Sequence, residues 1–173
     1  MPVWLILKRY SPVISIANRF IITIVLLLFC SGVLAATTCT LVNPSISLGS
    51  YDTFTPSPTD ASGTITVNCT RSGGPQNIAV TLAIGPSLHT GSVASRKVKH
   101  TINIDLLSYN LYRDASRTIV WGNSGGVNTV SQTLSIPNNA SRTATFVVNT
   151  RIDALQNVRA GDYADSLQIS VLP

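Results

Sequence analysis

The sequence predicts an all-β domain folded as a Greek-key sandwich, and three observations carry that prediction. Beyond residue 35 the chain is rich in Thr, Ser, Val, Ile and Asn, has no Glu, and carries Lys only at 97 and 99. That composition disfavours helices and suits short strands. Apolar residues recur with a period of two in several stretches, the signature of strands with one buried face. Turn signals separate those stretches at short intervals, a spacing that suits a sandwich, with a closed barrel as the alternative.

Taken in chain order, a first strand is expected near Thr40–Leu48. Pro44 interrupts it, which points to an edge position or to a strand that switches sheets. In Gly63–Thr70, Ile65, Val67 and Cys69 share one face, with Thr64, Thr66 and Asn68 on the other. In Asn77–Gly85 the inward set is Ile78, Val80, Leu82 and Ile84, and in Leu107–Arg113 it is Leu107, Tyr109 and Leu111. Ala144, Phe146 and Val148 alternate with Thr145, Val147 and Asn149, and Leu167, Ile169 and Val171 close the series. Counting these gives roughly seven strands. Between them lie Pro56-Ser57-Pro58, Ser72-Gly73-Gly74-Pro75, Ser124-Gly125-Gly126, Pro137-Asn138-Asn139 and Ala160-Gly161-Asp162.

Residues 1–35 read as a cleaved signal peptide rather than as part of the fold. Lys8, Arg9 and Arg19 are basic, Phe20 to Phe29 is apolar apart from Thr23, and Val33-Leu34-Ala35 places small residues where signal peptidase needs them. The apolar run falls well short of the ~20 residues of a spanning helix, so no stable membrane insertion is expected after cleavage. The domain proper is then 36–173, one domain by length. Three of the twelve basic residues leave with the signal, so nine Lys and Arg face seven Asp, a net charge of +2. The high pI is a targeting feature, and nucleic-acid binding is not expected. Cys30 leaves as well. The remaining pair, Cys39 and Cys69, enters a compartment that permits disulfides. Cys39 opens the first strand and Cys69 closes the second, so their bond would staple the two, by about 3–4 kcal/mol in the chain-entropy model.

The inventory for catalysis is thin. Two histidines, His89 and His100, are read as surface residues, because a zinc site needs three or four ligands at short spacing. Asp162 and Asp165 lack the oxygen cage of a calcium loop and are read as turn caps. Arg96, Lys97, Lys99 and His100 form a small basic cluster, read as a solvated loop. No nucleophile elbow or phosphate loop occurs, so no cofactor, no metal and no enzymatic activity are expected.

Several stretches together resemble the spore coat protein U domain, the fold of subunits in archaic (Csu-type) chaperone–usher pili. They are Cys39-Thr40-Leu41, Leu48-Gly49-Ser50-Tyr51-Asp52, Gly63-Thr64-Ile65-Thr66-Val67-Asn68-Cys69-Thr70, Tyr109-Asn110-Leu111-Tyr112-Arg113-Asp114 with Trp121-Gly122, and the run from Gln156 to Ser166. The resemblance implies an immunoglobulin-like sandwich that lacks one strand and is completed by a donor strand. A periplasmic chaperone lends that strand first, and a neighbouring pilus subunit replaces it at the usher. The groove walls implied are Leu41, Ile46 and Leu48 on the first strand and Leu167, Ile169 and Val171 on the last. Recognition would be β-augmentation, with backbone hydrogen bonds for affinity and side-chain pockets for register.

One feature departs from the polymerising pattern. If cleavage follows Ala35, only Ala36-Thr37-Thr38 precede Cys39, whereas an arm spanning a neighbour's groove needs on the order of ten residues at ~3.3 Å each. The expectation is therefore an exported structural subunit of a pilus or surface coat, acting in adhesion and biofilm formation. It would accept a strand but not donate one, as a tip or minor subunit, passing through the periplasm to the cell surface. The alternatives are a coat protein with no pilus role, and a complete periplasmic or surface ligand-binding sandwich.

Overall fold

The computed structural model describes residues 35–42 and 44–173. The expected signal segment, apart from Ala35, and Cys30 lie outside the described residues. The described elements are all strands: β1 (Ala36–Val42), β2 (Thr59–Ser72), β3 (Gln76–Ser87), β4 (Arg96–His100), β5 (Leu106–Tyr112), β6 (Val130–Ile136), β7 (Ser141–Ile152), β8 (Tyr163–Ala164) and β9 (Leu167–Leu172). Two antiparallel sheets result. The larger has the order β1-β2-β7-β5-β4-β8, and the smaller β6-β3-β9.

The period-two patterns explain the layering. Ile65, Val67 and Cys69 of β2, and Ala144, Phe146 and Val148 of β7, turn one face of the larger sheet inward, and all are 1 % exposed or less. Their ladder runs unbroken from Thr59↔Ile152 to Thr70↔Ser141. Opposite them Ile78, Val80, Leu82 and Ile84 of β3 supply the inner face of the smaller sheet. Each such fully buried side chain contributes about 1.5–3 kcal/mol of transfer free energy. Trp121 fills the space between the layers, edge-on to Phe146 at 6.2 Å between ring centres. Its indole N–H donates to the Leu82 carbonyl at 3.1 Å, so this large ring leaves no polar atom unsatisfied.

Cys39 and Cys69 are bonded and stand directly opposite each other in the β1–β2 register. The staple joins the edge strand β1 to the strand that anchors the larger sheet.

Three expectations need correction. The first strand does not run to Leu48: β1 ends at Val42, and Pro44, which has no N–H to give a ladder, starts a stretch outside both sheets. The basic cluster is not a solvated loop but strand β4, whose inward positions are Arg96, Val98 and His100. His100 is accordingly buried, and His89 is half-buried rather than a free surface residue.

Arg96 is wholly buried, and its guanidinium explains why that is tolerable. Nε donates to Gly85 O at 3.2 Å; Nη2 donates to the carbonyls of Ile84, Gly85 and Trp121 at 2.8–2.9 Å; Nη1 donates to Asn110 Oδ1 at 2.8 Å. One side chain of the larger sheet thus binds the end of β3 in the smaller one. Burial pulls its affinity for the proton below the ordinary arginine value, an effect opposed by nearby Tyr109 and Asp165.

Candidate strand-accepting cleft

The two sheets are unequal, and the smaller one stops at β9. Among the described residues β9 pairs only with β3, on one side. Across from its other edge lies the extended stretch Pro44–Tyr51, called the strap below. In it Ile46 and Leu48 are half-buried and packed against the core, while Ser45 and Ser47 at the alternate positions are exposed. Among the described residues, no backbone-to-backbone hydrogen bond ties Pro44–Ser50 to a neighbouring strand. Unpaired main-chain groups therefore stand on both sides of one gap.

The gap is a cleft of about 850 Å³. Its floor is the inner face of the larger sheet: Val98, Leu107, Tyr109, Leu111 and Ile152, each 5 % exposed or less. Its walls are Ile46 and Leu48 on the strap and Leu167 and Ile169 on β9. Of the six wall residues expected from the sequence, the structure brings these four together. The other two do not line the cleft. Leu41 lies opposite Val67 within the β1–β2 ladder, and Val171 opposite Leu82 within β3–β9, both half-buried against the core.

Polar groups hold the walls in place. Tyr109 Oη donates to Asp165 Oδ2 at 2.8 Å, and Asp165 Oδ1 accepts from the backbone N–H groups of Leu88 and Ser166 at 3.2 and 2.8 Å. His89 Nε2 stands 3.8 Å from the same carboxylate. Burial first, and the adjacent Asp165 carboxylate second, push the Tyr109 phenol far above its ordinary range. The Val158–Tyr163 segment closes one end. There His100 Nδ1 accepts from Ile102 and Asn103 N–H at 3.0 and 3.1 Å, which leaves its Nε2–H to donate to Ala160 O at 3.3 Å. Gly161 sits so close to this ring that no side chain fits there.

Tyr51, Val158, Tyr163 and Asp165 also line the cleft and were not among the expected wall residues. Their signal in the sequence lay in the stretches Leu48–Asp52 and Gln156–Ser166, which carried the family resemblance without revealing what those residues touch. Among the described residues, no three His, Cys, Asp or Glu side chains gather as a metal would require.

The profile of the Spore Coat Protein U domain matches residues 26–170. The chain belongs to the Spore Coat Protein U domain family. Members of this family are structural, non-enzymatic proteins. Among curated relatives, this Spore Coat Protein U domain is similar to Protein U of Myxococcus xanthus, at 30 % identity over 112 residues, or 63 % of this chain and 58 % of the relative. It also resembles a chain in the crystal structure of the CsuC–CsuE chaperone–tip adhesion subunit pre-assembly complex from archaic chaperone–usher Csu pili of Acinetobacter baumannii. That likeness has a TM-score of 0.53 at 16 % identity and covers 79 % of this domain but 40 % of the solved chain. It shows a shared immunoglobulin-like sandwich fold. The Spore Coat Protein U domain thus spans less than two thirds of the curated relative and less than half of the solved chain.

Proposed function

We propose that this protein is an exported structural subunit of a chaperone–usher pilus or surface coat, acting in adhesion and biofilm formation. Its cleft is the seat of a donor strand. A periplasmic chaperone fills that seat during transit, and a neighbouring subunit fills it after passage through the usher to the cell surface. The observation that carries this reading is the pair of unpaired backbone edges, strap and β9, facing each other across an apolar floor. A cleft of about 850 Å³ also falls in the size range of small-ligand sites. A small ligand, however, has no use for two strand edges, whereas an inserted strand pairs with both and places alternate side chains on the floor. Left empty, such an edge beside exposed apolar walls favours aggregation.

In the same reading the subunit accepts a strand without giving one. Ala36, Thr37 and Thr38 already belong to β1, paired with Ser72, Arg71 and Thr70. With the signal cut after Ala35, they are not free to reach a neighbour. A tip or minor position in the assembly follows.

The test uses the chain's own geometry. β9 ends at Leu172, so an Asn-Gly turn and a strand of alternating valine and threonine added after Pro173 would fold back along the free edge of β9. The reading predicts that residues 36–173 exported alone aggregate or are degraded, and that the self-completed form is soluble and monomeric. Soluble, monomeric folding of the unextended domain, with no gain from the added strand, overturns it in favour of a complete sandwich.

A further inference from the structure

Among the described residues the strap has backbone or side-chain ties to the sheets only at its ends, and between them it rests on packing alone, with Ile46 against Gly63 of β2. Upstream it continues from β1, which the Cys39–Cys69 bond fixes to β2. Downstream, Tyr51 Oη accepts the Gln156 backbone N–H at 2.6 Å. Gln156 is itself clamped to the larger sheet, because its side chain accepts from Ser108 N–H at 2.7 Å and donates to the Ser108 and Asp153 carbonyls at 2.9 and 2.8 Å. Just before Tyr51 the chain bends at Gly49, whose φ of +87° suits glycine.

The half-buried Ile46 and Leu48 face Leu167 and Ile169 across the cleft. Apolar walls separated by water attract each other, and between its ends the strap opposes that pull with side-chain packing but no backbone pairing. We propose that the Tyr51–Gln156 contact is a spacer that keeps the strand seat open, making Tyr51 and Gln156 positioning residues for strand capture. This rests on the strand-accepting reading of the cleft. The latch ties the strap's end, through Gln156, to the backbone of Ser108 in the larger sheet, so the strap cannot slide across the cleft and close it. Its loss lowers the fraction of molecules with an open seat, and apparent affinity falls in proportion.

The expected signature is kinetic. A lysine-flanked synthetic peptide of alternating valine and threonine is offered to wild-type, Tyr51→Phe and Gln156→Ala chains, each held soluble in mild denaturant. Association with both variants slows by about fivefold while dissociation stays unchanged. In the self-completed form, where the added strand itself holds the cleft open, the variants lose only the stability of the missing hydrogen bonds, and that loss is smaller than in the unextended chain. Equal association rates overturn the spacer role. So does a loss confined to dissociation, or an equal stability loss in both forms, each of which marks an ordinary packing contact. Failure of the wild-type chain to capture the peptide at all sinks the strand-accepting reading beneath it, and is distinguishable from every result in which wild type binds.

Discussion

Tyr109 of β5 and Asp165, the residue that leads into β9, meet through a 2.8 Å hydrogen bond that crosses from the larger sheet to the smaller. The bond lies two residues ahead of β9, which is one wall of the cleft. Removing it with Tyr109→Phe leaves Asp165 buried with two backbone donors instead of three partners, a loss of about 1–3 kcal/mol in denaturant unfolding. The phenol also makes a prediction about base. Its affinity for the proton is raised in the folded chain, so the folded state holds a proton that the unfolded state gives up near pH 10. That stability is present in full below about pH 10 and is lost as pH rises further. The Phe variant has lower stability at neutral pH but a shallower decline above pH 10.

Arg96 and its neighbours on β4 separate a structural cation from surface ones. Arg96→Met strands the carbonyls of Ile84, Gly85 and Trp121 without their donor and costs at least about 3 kcal/mol. Lys99, exposed on the same strand, should change stability by less than about 0.5 kcal/mol when replaced by alanine. Urea unfolding of the self-completed form measures both. Equal effects would contradict the assignment of Arg96 as the tie between sheets.

The Cys39–Cys69 staple fixes the edge strand from which the strap departs. Replacing both with serine is expected to cost about 2–4 kcal/mol. It should also raise amide hydrogen exchange along Ala36–Val42 more than along β7. A uniform rise across the sandwich would show that the bond acts only on global stability.

These residues also show how far the sequence can be read. β2, β3, β5, β7 and β9 announce themselves because each presents an apolar residue at every second position. β4 does not, because two of its three inward positions are Arg96 and His100, and a buried arginine is recognisable only once the carbonyls it satisfies are in place. β6 hides for a similar reason, with Gln132 standing in register between Val130 and Leu134 and donating to Thr145 O of β7. The cleft is legible in part. The family resemblance pointed to Ile46, Leu48, Leu167 and Ile169 as walls of one groove, but it named Leu41 and Val171 beside them, and these two stand within ladders instead, opposite Val67 and Leu82. Tyr51 and Asp165 find their partners 105 and 56 positions away, a distance over which no local pattern operates.

Amide hydrogen exchange, followed residue by residue, reads out whether a strand is missing between the strap and β9. The comparison is between the self-completed chain and the same chain with its added strand cut at the turn and removed. Ile46–Ser50 and the free-edge amides of β9 are expected to exchange rapidly when the seat is empty and to slow by at least about a hundredfold when it is filled, as backbone pairing forms on both sides. Strong protection of the strap and of the outer edge of β9 in the empty chain, or no change on filling, would contradict a missing strand.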